Sequence, residues 1–116
     1  MAGEVVVFFP KYTALAGIAN PGQPYYSEWF EVTPWKSVDV ETLLVAVVGS
    51  PTIAARLEQS SDMITPSDAA GSGNLTAGTP NAMSKSGPAR FVRVKITVTG
   101  ADTMAILWSK GVVRDS

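Results

Sequence analysis

The two side chains that do most acid–base and nucleophilic work near neutral pH are missing, since the sequence contains no histidine and no cysteine. Without an imidazole, no side chain has an ordinary pKa that suits a general base at neutral pH. A Ser-His-Asp arrangement cannot be assembled either. Ser84 and Lys85 could be written as a Ser–Lys dyad, but nothing in the flanking sequence sets the pair on a rigid element. Asp39 and Glu41 sit two apart, so on a strand their Cβ atoms would share a face ~7 Å apart, within the spacings used in glycoside hydrolysis. Acidic residues alternating with valine are also what any wetted strand face displays. Glu28 and Glu31, three apart, would fall on opposite faces. The chain reads as non-enzymatic.

Binding chemistry is nearly as sparse. With thiolates and imidazoles gone, only oxygen ligation of a cation such as calcium is left. Ser60-Ser61-Asp62 and Asp68 could lend oxygens from a loop, but their spacing resembles no calcium loop. Gly71-Ser72-Gly73-Asn74 neither follows a strand nor opens a helix, so it is a flexible turn and not a phosphate cradle. Asn74-Leu75-Thr76 matches a glycosylation sequon, which has meaning only for a secreted chain. No metal and no cofactor is expected.

Two clusters remain. Arg90, Arg93 and Lys95 form a small basic group, the last two on one face of an alternating segment. Nucleic-acid binding would call for interleaved aromatics and a positive domain. Here only Phe91 is in phase with them, and the net charge is −1. Solubilising charges, or rim contacts to an acidic partner, fit better. Tyr25, Tyr26, Trp29 and Trp35 crowd a short stretch rich in proline. Such rings can stack on a sugar, plug a pocket on a neighbouring subunit, or simply lid the end of a core. All three uses stay open.

The elements that would position these groups are strands. Pro and Gly punctuate the chain about every ten residues, with β-branched and aromatic residues crowded between them, which is a sandwich or barrel rhythm. Phe91 to Thr99 alternates most cleanly, with Val92, Val94, Ile96 and Val98 on one face and Arg93, Lys95, Thr97 and Thr99 on the other. Thr52 to Gln59 repeats this more weakly, with Ile53, Ala55 and Leu57 inward and Arg56 and Glu58 outward. In Ser27 to Thr33, Phe30 and Val32 oppose Trp29 and Glu31. Val38 to Val48 begins as an alternation and becomes apolar on both faces. Such a strand is covered on both sides or meets a neighbouring subunit. Thr103 to Val113 is also apolar on both faces, and Gly100-Ala101-Asp102 is expected to pair it with the preceding strand as a hairpin.

This pattern predicts an all-β fold of two antiparallel sheets, a jelly-roll-like β-sandwich of seven or eight strands with essentially no helix. Residues 1–24 read as an N-terminal apolar segment, either an arm or a first strand, and 25–116 as the sandwich domain. Residues 65–88 are poor in large apolar side chains and read as a long flexible loop, with one short strand near Asn81 to Ser84.

A chain of 116 residues is one domain, able to bury roughly 65% of its unfolded surface and so to hold a core without staples. Its apolar fraction of 46% is high for a free monomer, and the excess predicts cover from another subunit. Met1-Ala2-Gly3-Glu4 lacks a basic start and Pro10 interrupts the apolar run after it, a poor signal peptide. No window approaches about 20 apolar residues, so no membrane span is expected.

From Ser27 to Val113 the order of segments carries a resemblance. An aromatic strand, Ser27-Glu28-Trp29-Phe30, precedes Ser37-Val38-Asp39-Val40-Glu41, which turns apolar. Leu57-Glu58-Gln59-Ser60-Ser61-Asp62 then ends in a polar loop, and Ala89-Arg90-Phe91-Val92-Arg93-Val94-Lys95-Ile96 leads to a closing apolar strand. This order resembles small β-sandwich structural proteins of tailed phages, including the head decoration (cement) proteins. Discoidin-like carbohydrate-binding sandwiches share the rhythm. Their polar loop often continues into an aromatic, whereas Asp62 here is followed by Met63-Ile64-Thr65-Pro66.

The phage resemblance implies a virion structural protein, made in the host cytoplasm, that oligomerises (a trimer is expected) and binds a major capsid protein. A carbohydrate- or receptor-binding module, with a glycan as ligand, is the alternative. No nucleic acid and no membrane is expected as partner. The residues expected at an interface are Val5, Val7 and Phe9 on the N-terminal segment, with Tyr25, Tyr26, Trp29, Trp35, Arg93 and Lys95.

Overall fold

The structure, a computed structural model, describes residues 3–115, apart from the side chain of Ser72. Nine strands account for most of them, and no helix occurs among the described residues. In chain order they are β1 (Gly3–Ala16), β2 (Gln23–Tyr26), β3 (Phe30–Glu31), β4 (Ser37–Val48), β5 (Thr52–Ser60), β6 (Ser67–Asn74), β7 (Pro80–Ser86), β8 (Phe91–Thr99) and β9 (Met104–Arg114).

One sheet runs β1-β9-β4-β7 and the other β2-β8-β5-β6, with β3 also pairing β8. The pairing is nested and antiparallel throughout: β1 with β9, β2 with β8, β4 with β7, β5 with β6. It is as if one long hairpin, bent at the β5–β6 turn, had been rolled up so that its rungs fall alternately in two sheets. That is jelly-roll topology.

The core is the inner faces of both sheets. On β8, Val92, Val94, Ile96 and Val98 are completely buried. Each such side chain is worth about 1.5–3 kcal/mol relative to exposure. Ile53, Ala55 and Leu57 of β5 lie beside them, and Val38, Val40, Leu44, Ala105, Leu107 and Val113 face them from the other sheet. Gly111 admits one further core residue by close approach. A Cβ there would lie 2.7 Å from Phe8 Cε2 and 3.3 Å from the Asp39 carbonyl oxygen. With hydrogen in its place, Phe8 packs edge-on to Phe30, ring centroids 5.3 Å apart. A polar pair interrupts the apolar filling: the Thr42 and Ser109 hydroxyls, both fully buried, lie 3.0 Å apart and satisfy each other.

Several expectations need correction. Gly100-Ala101-Asp102 does not close a hairpin, because β8 and β9 belong to different sheets. The link crosses the end of the sandwich, tied by the Gly100 amide to the Ile18 carbonyl at 2.6 Å. A short glycine-containing link is equally suited to either task, so local sequence cannot choose. Residues 65–88 are not one long loop, since they contain β6 and β7. Their poverty in large side chains misled the reading, because ladder hydrogen bonds need only backbone; Leu75 and Met83 suffice as buried anchors. The strand count is accordingly nine. Residues 3–16 form an intramolecular strand, and β2 spans the boundary expected between an N-terminal segment and the sandwich.

Candidate interaction surfaces

The outer face of the β2-β8-β5-β6 sheet brings together members of both residue clusters singled out in the sequence. Strand alternation puts Arg93 and Lys95 outward, and Tyr26 lies opposite Lys95 in the β2–β8 register. Ser27 then fastens the next turn to the same strand. Its hydroxyl accepts from the Val94 amide and its amide donates to the Val94 carbonyl, both at 2.9 Å. That brings Trp29 over β8. The Arg93 guanidinium lies 4.2 Å from the Tyr26 ring centroid and 4.3 Å from that of Trp29. Its Nε donates to Glu58 Oε1 at 2.8 Å, and the two side chains are only 18% and 10% exposed. Glu58 is therefore buried, although its strand phase points it outward. Lys95 reaches the far side of this group, 5.8 Å from the Tyr26 ring.

The other sites named from sequence scatter. Tyr25 faces the core opposite Ile96, and its hydroxyl donates to the Ala16 carbonyl at 2.6 Å. Trp35 packs against the core as a lid, its amide closing a turn onto the Val32 carbonyl at 2.7 Å. Val5 and Val7 stand in solvent at 67% and 52% exposure. Phe9, expected to share their face, is buried instead. A register shift between Val7 and Phe9 reverses the phase of β1, and both Phe8 and Phe9 enter the core.

The outer face of the β1-β9-β4-β7 sheet has a polar half and an apolar half. In the polar half Asp39 pairs with Arg114 and accepts from the Ser84 hydroxyl at 2.8 Å. Ser84 is thus engaged by a carboxylate, and Lys85, as its strand neighbour, points to the opposite face. A shallow depression of about 340 Å³ lies here, lined by Asp39, Glu41, Ala82, Lys110 and Val112. The apolar half runs along β9 and the end of β4. Met104 and Val48 are register partners on this face and both exposed, and Val45, at the register shift of β4 beside them, is 40% exposed. Ile106 and Trp108 continue the row, half-buried. The Lys11 and Lys110 ammonium groups lie 5.2 Å and 5.0 Å from the centroid of the Trp108 ring. Sequence reasoning noted both apolar faces of β4 and β9, with Trp108 in one row with Met104 and Ile106, but not the lysines beside its ring. Lys11 arrives from a bulged stretch of β1 that no pattern forecasts.

At the tip of the β5–β6 hairpin, Asp62 Oδ1 accepts from the amides of Ile64 (2.8 Å) and Thr65 (2.9 Å) and from the Ser60 hydroxyl (2.8 Å). These bonds, the Thr65 amide foremost, hold its pKa down to about 2. Its oxygens organise a turn. Among the described residues no three acidic or other ligating side chains converge, and no helix is long and apolar enough to cross a membrane.

No family model matches the sequence, and no curated protein matches it. Solved structures do. The VP2 subviral particle of infectious bursal disease virus is similar at TM-score 0.62 and 12% identity, over 97% of this chain and 32% of that one. This chain therefore spans about a third of the VP2 length. The SPBc2 prophage-derived protein YomS is similar at TM-score 0.60 and 14% identity, over 97% of this chain and 92% of that one. A Clostridium thermocellum xylanase 10B with its carbohydrate-binding module reaches a TM-score of only 0.44, which carries no argument. At these identities the likeness is one of fold, a jelly roll shared with a viral capsid protein and a prophage protein.

Proposed function

We propose that this chain is a non-enzymatic virion structural protein, a capsid decoration protein that assembles with itself, as a trimer, and binds a major capsid protein. The observation that carries the reading is the apolar half of the β1-β9-β4-β7 outer face. Val48 and Met104 are exposed register partners there, with Val45 exposed beside them and Ile106 and Trp108 half-buried along the same row. A contiguous apolar patch on a small domain marks a contact surface. The capsid and prophage proteins that share the fold agree with such a role.

Sugar binding fits the geometry less well. It needs an open aromatic face, whereas Trp29 has the Arg93 guanidinium over its ring and Trp35 lids the core.

Size exclusion with light scattering, followed by co-sedimentation with capsids prepared without this protein, tests the proposal. The expected result is a particle of three times the 12.2 kDa chain mass that binds shells saturably. A strict monomer with no affinity for shells refutes it.

A further inference from the structure

The β5–β6 turn holds two large apolar side chains in water, Met63 at 49% and Ile64 at 81% exposure. It is built to keep them there. Besides the three bonds to Asp62 Oδ1, the Ser60 Oγ accepts from the amides of Asp62 (3.2 Å) and Met63 (3.0 Å). Ser60 is itself buried, so the clamp is anchored in the sandwich. Met63 sits at φ +63°, a left-handed conformation that costs a bulky residue energy and persists only where its surroundings impose it. Neither side chain belongs to the core. A clamped turn that presents apolar groups outward has the form of an anchor.

The outer face of the other sheet offers an apolar row flanked by lysines. Ile106 stands between two register partners with small side chains, Ala14 on β1 and Ala46 on β4. Trp108 continues the row, with Lys11 and Lys110 beside its ring. Glu41 lies opposite Lys110 in the register, yet neither lysine makes an ion pair among the described residues. The turn carries the Asp62 carboxylate, and no Lys or Arg occurs between Arg56 and Lys85. Acidic and apolar on one surface thus answers basic and apolar on the other.

We infer that the Met63–Ile64 turn of one copy docks on the Ile106–Trp108 face of a second copy, with its Asp62 carboxylate set beside the lysine pair. The inference rests on the self-assembling reading above and names its contact. Because turn and face are different surfaces, the contact is heterologous, and a suitable rotation closes it into a ring. A lipid surface is a poorer occupant, since a turn with one carboxylate and no cation offers nothing to an anionic leaflet.

Light scattering on two variants and their mixture tests this, with circular dichroism melts as the folding control. Ile64→Ser removes the anchor, and Lys11→Glu combined with Lys110→Glu reverses the seat. Each is expected to give a folded monomer, its Tm within roughly 5 °C of the parent because the changed groups are exposed. Mixed in equal amounts, the two monomers are expected to form a 1:1 heterodimer and stop there, since each keeps one intact half of the contact. An oligomer that survives both changes overturns the inference and leaves the self-assembling reading standing, as does a mixture that stays monomeric. A parent chain that is monomeric at hundreds of micromolar overturns both.

Discussion

Arg93→Met tests whether the Tyr26–Trp29–Arg93–Glu58 cluster is a structural unit of the β2-β8-β5-β6 sheet. Methionine keeps most of the aliphatic stem and removes the guanidinium. Glu58 then holds a carboxylate that is 10% exposed with no cation beside it. Removing one partner of a fully buried pair costs about 3–5 kcal/mol, and the residual exposure here argues for the lower end. Two ring contacts at 4.2 Å and 4.3 Å go as well, each worth about 0.5–1 kcal/mol at such a site. The expected loss is therefore about 4 kcal/mol, or roughly 16 °C in Tm for a domain near a hundred residues. Urea unfolding followed by tryptophan fluorescence measures it. Glu58→Gln should cost less, about 1–2 kcal/mol, because Arg93 keeps both rings and some water. The double variant should lose clearly less than the sum of the two, since no charge is then stranded. A loss under 1 kcal/mol for Arg93→Met, or strictly additive losses, would refute the reasoning.

Other expectations concern single positions. Gly111→Ala should destabilise by about 1–3 kcal/mol, because its Cβ meets the Phe8 ring at 2.7 Å; an unchanged urea midpoint contradicts this. Thr42→Val alone strands the buried Ser109 hydroxyl and should cost about 1–2 kcal/mol, whereas Thr42→Val with Ser109→Ala should recover most of it. Equal losses in the single and double variants would show that the two hydroxyls do not depend on each other. For Asp62 the folded pKa of about 2 lies below the ordinary 3.8. Its contribution is thus full above about pH 4 and is lost as pH falls towards 2. Urea midpoints of the parent chain and Asp62→Asn should differ at neutral pH and converge across that window, and parallel curves would dismiss the carboxylate's role.

The strands that could be read in advance are those whose burial differs between their two faces. Phe91 to Thr99 shows the period of two that a half-buried sheet imposes, and Thr52 to Gln59 buries the expected Ile53, Ala55 and Leu57 but also Glu58, which alternation put outward. β6 was invisible because it holds its place through backbone pairing to β5, which leaves little trace in Ser, Gly and Ala. Phe9 was misassigned because a bulge shifts the phase of β1, and nothing local marks where a strand slips by one residue. Of the expected interface residues, Tyr26, Trp29, Arg93 and Lys95 do come together, while Tyr25 and Trp35 turn to internal work. A ring beside a proline looks the same from sequence whether it serves a core or a surface.

By itself the sequence determined the class of fold, the buried face of the alternating strands and the absence of imidazole and thiol chemistry. Each follows from side-chain type or from a period along the chain. Tertiary structure alone decided that β8 and β9 part into different sheets, that Glu58 is buried under Arg93 and two rings, and that Trp108 meets two lysines. Those outcomes depend on which distant segments become neighbours. Pairing partners so far apart in the chain are chosen by the packing of the whole sandwich, and no local window records that choice.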